Sequence, residues 1–142
     1  MIQILAGIQN TTAALQAEQT RLNVISENIA NANTAHGVDG KPYQRQVVVF
    51  ATALQQAMNA DGSTATPALK VASIEKDTRD PVQIYDPGNP DADARGMISM
   101  PNINIHEEMA DLISASRTFE ANLAVVKNSR SMAMQTLAIG KH

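Results

Sequence analysis

Apolar residues recur over the first thirty positions at alternating steps of four and three, as Ile4, Ile8, Leu15, Leu22, Ile25 and Ile29, with Thr11 and Glu18 in the remaining places. That is the heptad spacing of a helix with one apolar seam. The same template begun at Ile105 picks out Met109, Leu112, Phe119, Leu123, Val126, Ala133 and Leu137, with Ser116 and Arg130 as the polar exceptions. A long helix is therefore expected at each end of the chain. The second has marked ends. Asn104 stands where a cap is needed, with Glu107 three residues on as in a capping box. Glu107, Glu108 and Asp111 lie beside the positive end of the helix dipole, and Gly140 supplies a stop.

Between these segments the period changes. His36 to Pro42 is a turn cluster that must end the first helix, and Tyr43 to Phe50 has the β-branched and aromatic composition of a strand. Asn59 to Pro67 reads as a mobile loop, and short strands are expected at Leu69 to Glu75, Val82 to Tyr85 and Met97 to Met100. The fold class is thus α+β, with terminal helices pairing as a coiled-coil-like bundle around a small β-rich middle. The organisation divides into a helical segment 1–34, a middle region 35–101 containing the loop 59–67, and a second helical segment 102–142.

Length sharpens this picture. A helix from Asn104 to Ile139 would run about 54 Å, whereas a compact chain of 142 residues has a radius of gyration of only about 14–15 Å. The helix overruns its own globule, so its seam calls for neighbours. The polar surface of the first segment points the same way. Gln3, Gln9, Asn10, Thr12, Gln16, Gln19, Thr20, Asn23, Ser26 and Asn28 make a sheath of amides and hydroxyls, interrupted by the charges of Glu18, Arg21 and Glu27 alone. Neutral groups are dehydrated against protein at less cost than charges. An ordinary helical pair within one monomer is the plainer account of the same periodicity.

Composition narrows the function classes. Aromatic residues are 3% of the chain and the net charge is −3, so neither a stacking platform nor a basic surface points to nucleic acid. Cysteine is absent, which excludes disulfides, thiolate metal sites and thiol catalysis. No apolar stretch approaches a membrane span, and the first ten residues lack the basic and apolar regions of a cleaved export signal, so direct membrane insertion is not expected.

Chemistry-bearing patterns fail on spacing. His106-Glu107 begins a zinc-protease motif, but its second His would fall at Ala110. Asn89, Asp91 and Asp93 alternate like calcium-loop ligands, yet the twelfth position is Met100 rather than a bidentate Glu. A turn that sets the entry of the last helix is the simpler reading, formed by Tyr85, Pro87, Gly88, Pro90, Gly96, Pro101 and Asn104. The three His residues have no nucleophile at a recognised spacing, and no catalytic residue, cofactor, metal or small-molecule substrate is expected. Met97, Met100, Met109, Met132 and Met134 fit either a core or an adaptable contact surface.

Arg21-Leu22-Asn23-Val24-Ile25-Ser26-Glu27-Asn28-Ile29-Ala30-Asn31-Ala32-Asn33-Thr34 resembles the N-terminal motif of bacterial flagellar rod and hook proteins. The stretch from Tyr85 to Gly96, continuing through Met100-Pro101-Asn102-Ile103-Asn104-Ile105 to Glu108-Met109, is similar to the C-type, proximal-rod branch of the basal-body rod proteins. Ala115 to Asn122 and Leu137 to Gly140 extend the match, while Glu27 and the insert from His36 to Lys41 depart from it. The resemblance implies a structural subunit of the rod that crosses the periplasm in the flagellar basal body, without enzymatic activity. It would be exported through the flagellar type III apparatus without a cleaved signal. It would polymerise helically with other rod proteins and copies of itself and transmit torque for motility. The assembly interface is then expected at Ile4, Ile8, Leu15, Leu22, Ile25 and Ile29 of one helix and at Ile105, Met109, Leu112, Phe119, Leu123, Val126 and Leu137 of the other. A soluble helical adaptor or chaperone-like binding module would use the same faces.

Overall fold

The computed structural model describes residues 2–37, 39–53 and 68–139. The loop expected at 59–67, the stop at Gly140 and the side chain of Ile4 lie outside the described residues. The chain order is α1 (Ile2–Ala30), β1 (Gln46–Ala53), β2 (Ala68–Lys76), β3 (Val82–Tyr85), β4 (Met97–Met100) and α2 (Ile105–Ile139). The α+β reading is met, and the strands expected at 82–85 and 97–100 fall on those residues.

The β-rich middle is two separate antiparallel hairpins. In the first, Gln46 pairs with Lys76 and Val49 with Ser73, after which a bulge shifts the register so that Phe50 faces Val71. In the second, Val82 to Tyr85 pairs with Met100 to Met97. All of β3 is exposed, whereas Ile98 of β4 is buried, so the hairpin turns one strand inward.

α1 packs against α2 and against both strands of the first hairpin. Its last turns meet the first turn of α2, since Asn28 touches Glu108, and the two helices therefore run antiparallel. The buried apolar residues are Ala17, Val24, Ile25, Ala32, Ile98 and Ala115. Ala17 of α1 and Ala115 of α2 are the small side chains buried within the two helices.

Both ends of the α1–α2 span are defined chemically. The Asn104 side chain caps α2 by accepting the His106 N–H at 3.1 Å. α1 closes on Glu27, whose carbonyl accepts the Asn31 backbone N–H and the Asn31 side chain. Helix lengths of 29 and 35 residues correspond to about 43 and 52 Å.

Candidate functional site

The face that α2 turns toward the rest of the chain is a stripe at Glu108, Leu112, Ala115, Phe119, Asn122, Val126, Ser129 and Ala133, all buried or half-buried. The seam read from the sequence shares Leu112, Phe119, Val126 and Ala133 with it but placed Met109, Ser116, Leu123 and Arg130 at the alternate positions. Ser116 is half-buried beside Ala115, and the other three belong elsewhere. The reason lies in volume: Ala115 is fully buried, and a Leu or Met there would hold the helices apart.

The displaced residues form a second stripe one position on, turned about 100° around the helix. It carries Ile105, Met109, Ile113, Glu120, Leu123, Lys127, Arg130, Met134 and Leu137, every one exposed, with Leu137 at 60%. The single expected seam is therefore two adjacent seams. Among the described residues, one is filled and the other is exposed.

On α1 the seam positions sit closer to expectation. Ile25 is buried and Ile8, Leu15, Leu22 and Ile29 are half-buried, while Ala17, Val24 and Ala32 join the interior. Three hydroxyls of the expected sheath, Thr12, Thr20 and Ser26, and the seam residue Thr11 bond their own helix, each donating to the carbonyl four residues back, at 2.8 to 3.0 Å. Glu18 is buried in the seam, where Oε2 has no hydrogen-bond partner among the described residues and pairs loosely with Arg21 at 3.9 Å.

Asn28, expected on the outer sheath, is 1% exposed and lies at the centre of a polar junction. Its Nδ2 donates to the Gln46 carbonyl at 2.9 Å and to Glu108 Oε2 at 3.1 Å, and its Oδ1 accepts from the Gln46 N–H and the Tyr43 hydroxyl. Glu108 is also 1% exposed, and Arg45 clamps its Oε1 through Nε at 2.7 Å and Nη2 at 2.6 Å. The charge assigned by sequence to the helix dipole is thus a buried partner for Arg45. Burial pushes the Tyr43 hydroxyl above its usual range, helped by the charge of Glu27. Asp77, near Arg45, is held low chiefly by the Arg79 guanidinium at 2.7 to 2.8 Å. A cleft of about 300 Å³ opens beside the junction, walled by Arg21, Val24, Phe50 and Asp111.

The Asp-rich turn is built by its own side chains. Asn89 Oδ1 accepts the Asp91 N–H, and Asp93 Oδ1 accepts the N–H groups of Arg95 and Met97 at 2.7 and 3.0 Å. Gly96 has φ of 75°, and a Cβ there would stand 3.0 Å from the Tyr85 ring and 3.1 Å from Pro87. With Pro101 buried and Asn104 capping, the segment fixes how the chain enters α2. Among the described residues no group of His, Asp and Glu is clustered to hold a metal ion.

Comparison with known proteins adds to this geometry. The family described as "Flagella basal body rod protein" matches residues 8–35, and the one described as "Flagellar basal body rod FlgEFG protein C-terminal" matches residues 94–139. The chain is 40% identical to the flagellar basal-body rod protein FlgC of Escherichia coli, over 91% of this chain and 92% of that one. It is 39% identical to the FlgC of Borreliella burgdorferi, over 96% and 97%, and 36% identical to that of Bacillus subtilis, over 92% and 94%.

Proposed function

The chain belongs to the FlgC family of flagellar basal-body rod proteins, and from that premise we propose that it is a rod subunit which adds to its neighbours through the outer stripe of α2. The observation that carries this is the second heptad seam. A helix that has already filled one seam with α1 presents another, apolar at both ends, over most of its 35 residues. Solvent is a poor home for such a stripe, and a neighbouring helix is a good one.

The role is mechanical rather than catalytic. Copies of the chain and related rod proteins would pack head to tail, since heterologous contacts whose rotation does not close give an open helical polymer. Close-packed seams resist relative rotation and so pass torque along the rod. The hairpins and the Asn28–Glu108–Arg45 junction hold α1 and α2 in one relative position, which keeps both faces in register for the neighbours. The rod location in the basal body and passage through the flagellar export apparatus belong to the same reading.

Leu123→Asp tests it. The residue lies on the outer stripe, 36% exposed, and the change places an unpaired charge where a neighbour must dock, with circular dichroism of the purified variant checking that its helices form. Cells carrying it are expected to be non-motile and to lack completed rods in electron micrographs of basal bodies. Swimming cells with normal basal bodies would overturn the proposal.

A further inference from the structure

The aromatic residues of the chain are two Phe and two Tyr. Phe50, Phe119 and Tyr43 are half-buried, and Tyr85 is 69% exposed. Ile84 pairs with the buried Ile98, so Tyr85, one residue on, stands on the opposite face of its hairpin. Its ring is held there by the turn. A Cβ at Gly96 would stand 3.0 Å from the ring and 3.1 Å from Pro87, so ring and proline lie side by side over the bare glycine. A side chain placed in advance loses little freedom when it docks. An apolar body with a polar tip makes tyrosine a frequent anchor of interfaces.

The cleft beside the Asn28 junction has the chemistry to receive such a ring. Val24 and Ile25 are buried in its walls, and Val48 and Phe50 are half-buried there. Arg21 and Asp111 stand at the same cleft. Arg21 is held loosely by Glu18 at 3.9 Å, and among the described residues no ion pair engages Asp111. A guanidinium stacks on an aromatic face, and a carboxylate accepts from a phenol hydroxyl. At about 300 Å³ the cleft is at the small end of ligand sites, with room for a ring and not for a helix. Tyr85 is not among its walls, and β3 packs on no helix or strand other than β4. The ring that fits therefore comes from another copy.

We propose that within the rod Tyr85 of one copy docks in the cleft between α1, β1 and α2 of a second copy, its ring against Arg21 and the apolar walls and its hydroxyl on Asp111. This rests on the rod role and names one contact within it. Knob and hole lie at different places on the chain, so each copy gives a tyrosine to one neighbour and takes one from another. That is the heterologous arrangement from which an open helix grows. The hole is complete only where both helices and the strand are in place, which makes it a property of the assembled subunit.

Azidophenylalanine in place of Tyr85 puts a photoreactive ring at the same position. It is introduced in cells that also make the unchanged chain, so that rods are completed from both forms. Irradiation of purified basal bodies is expected to give a product of twice the chain's mass, in which position 85 is joined to residues 21–25, 45–50 or 108–111 of a second copy. The same replacement at Val48 reads the contact from the cleft side and should attach to residues 82–87, so that if one substituted chain is excluded from rods the other decides. A product with a different rod protein, attachment elsewhere on the chain, or basal bodies that contain the substituted chain and give no product would each overturn the proposal while leaving the rod role standing. Basal bodies that lack even the unchanged chain would overturn the rod role and the proposal with it.

Discussion

The side-chain amide of Asn28 pairs with the backbone of Gln46 on both of its sides, donating through Nδ2 and accepting through Oδ1, each at 2.9 Å. A residue of α1 thereby takes the place that a neighbouring strand would have at the start of β1. Helix and hairpin are joined by the hydrogen bonds of a sheet, at a point where α2 also touches through Glu108.

Asn28→Ala removes both of those bonds and leaves the Gln46 N–H, the Tyr43 hydroxyl and Glu108 short of partners. Burying such groups unsatisfied costs about 1–3 kcal/mol each, and the expected loss is about 3 kcal/mol in total after relaxation. Urea denaturation followed by circular dichroism reads it directly. A variant with the parent's midpoint would show that the junction does not hold the fold together.

Arg45→Met leaves the Glu108 carboxylate buried without its cation. Removing one partner of such a pair costs about 3–5 kcal/mol, whereas replacing both with apolar residues is often neutral. The double variant with Glu108→Leu should accordingly be more stable than Arg45→Met alone, despite carrying the extra change. A double variant less stable than the single one would contradict this account.

Glu18 is the opposite case, a buried carboxylate with an oxygen that no donor among the described residues reaches. Glu18→Met keeps the length of the side chain and removes the unsatisfied atom, so the isolated chain should gain about 1 kcal/mol. A lower denaturation midpoint would refute this and would point to a donor supplied by Arg21.

Asp93 gives the turn a defined response to acid. The N–H groups of Met97 and then Arg95 hold its carboxyl below the ordinary value of 3.8. Because the folded group binds its proton less readily than the unfolded one, its stabilising contribution is complete above that value and is lost as pH falls through the lower folded one. The amide signals of Arg95 and Met97 should therefore follow a single titration with a midpoint below 3.8. A midpoint at or above it would mean that these bonds do not form in solution.

Much of the architecture was legible because it rests on local rules. The Asn104 cap, the turn at 86–96 and the two short strands flanking it all follow from neighbours in sequence. The face of α2 was not legible to the same degree, because periodicity fixes that a seam exists but not which of two adjacent stripes meets α1. Ala115 and Ser129 decided that by size, which a template that scores only apolar against polar does not weigh. Asn28 escaped for the same reason: it follows Ile25 by three and precedes Ala32 by four, a seam spacing masked by its polarity. Glu108 and Arg45 stand 63 residues apart, and only the fold brings them together.

The offset between the two stripes of α2 has a consequence for the shape of whatever it builds. A row of helices lying flat needs contact faces on opposite sides of each member, half a turn apart. Here the faces are separated by about 100°. Three helices touching through α2 therefore meet at a corner, and any wall that uses both stripes must bend around an axis or be more than one helix thick.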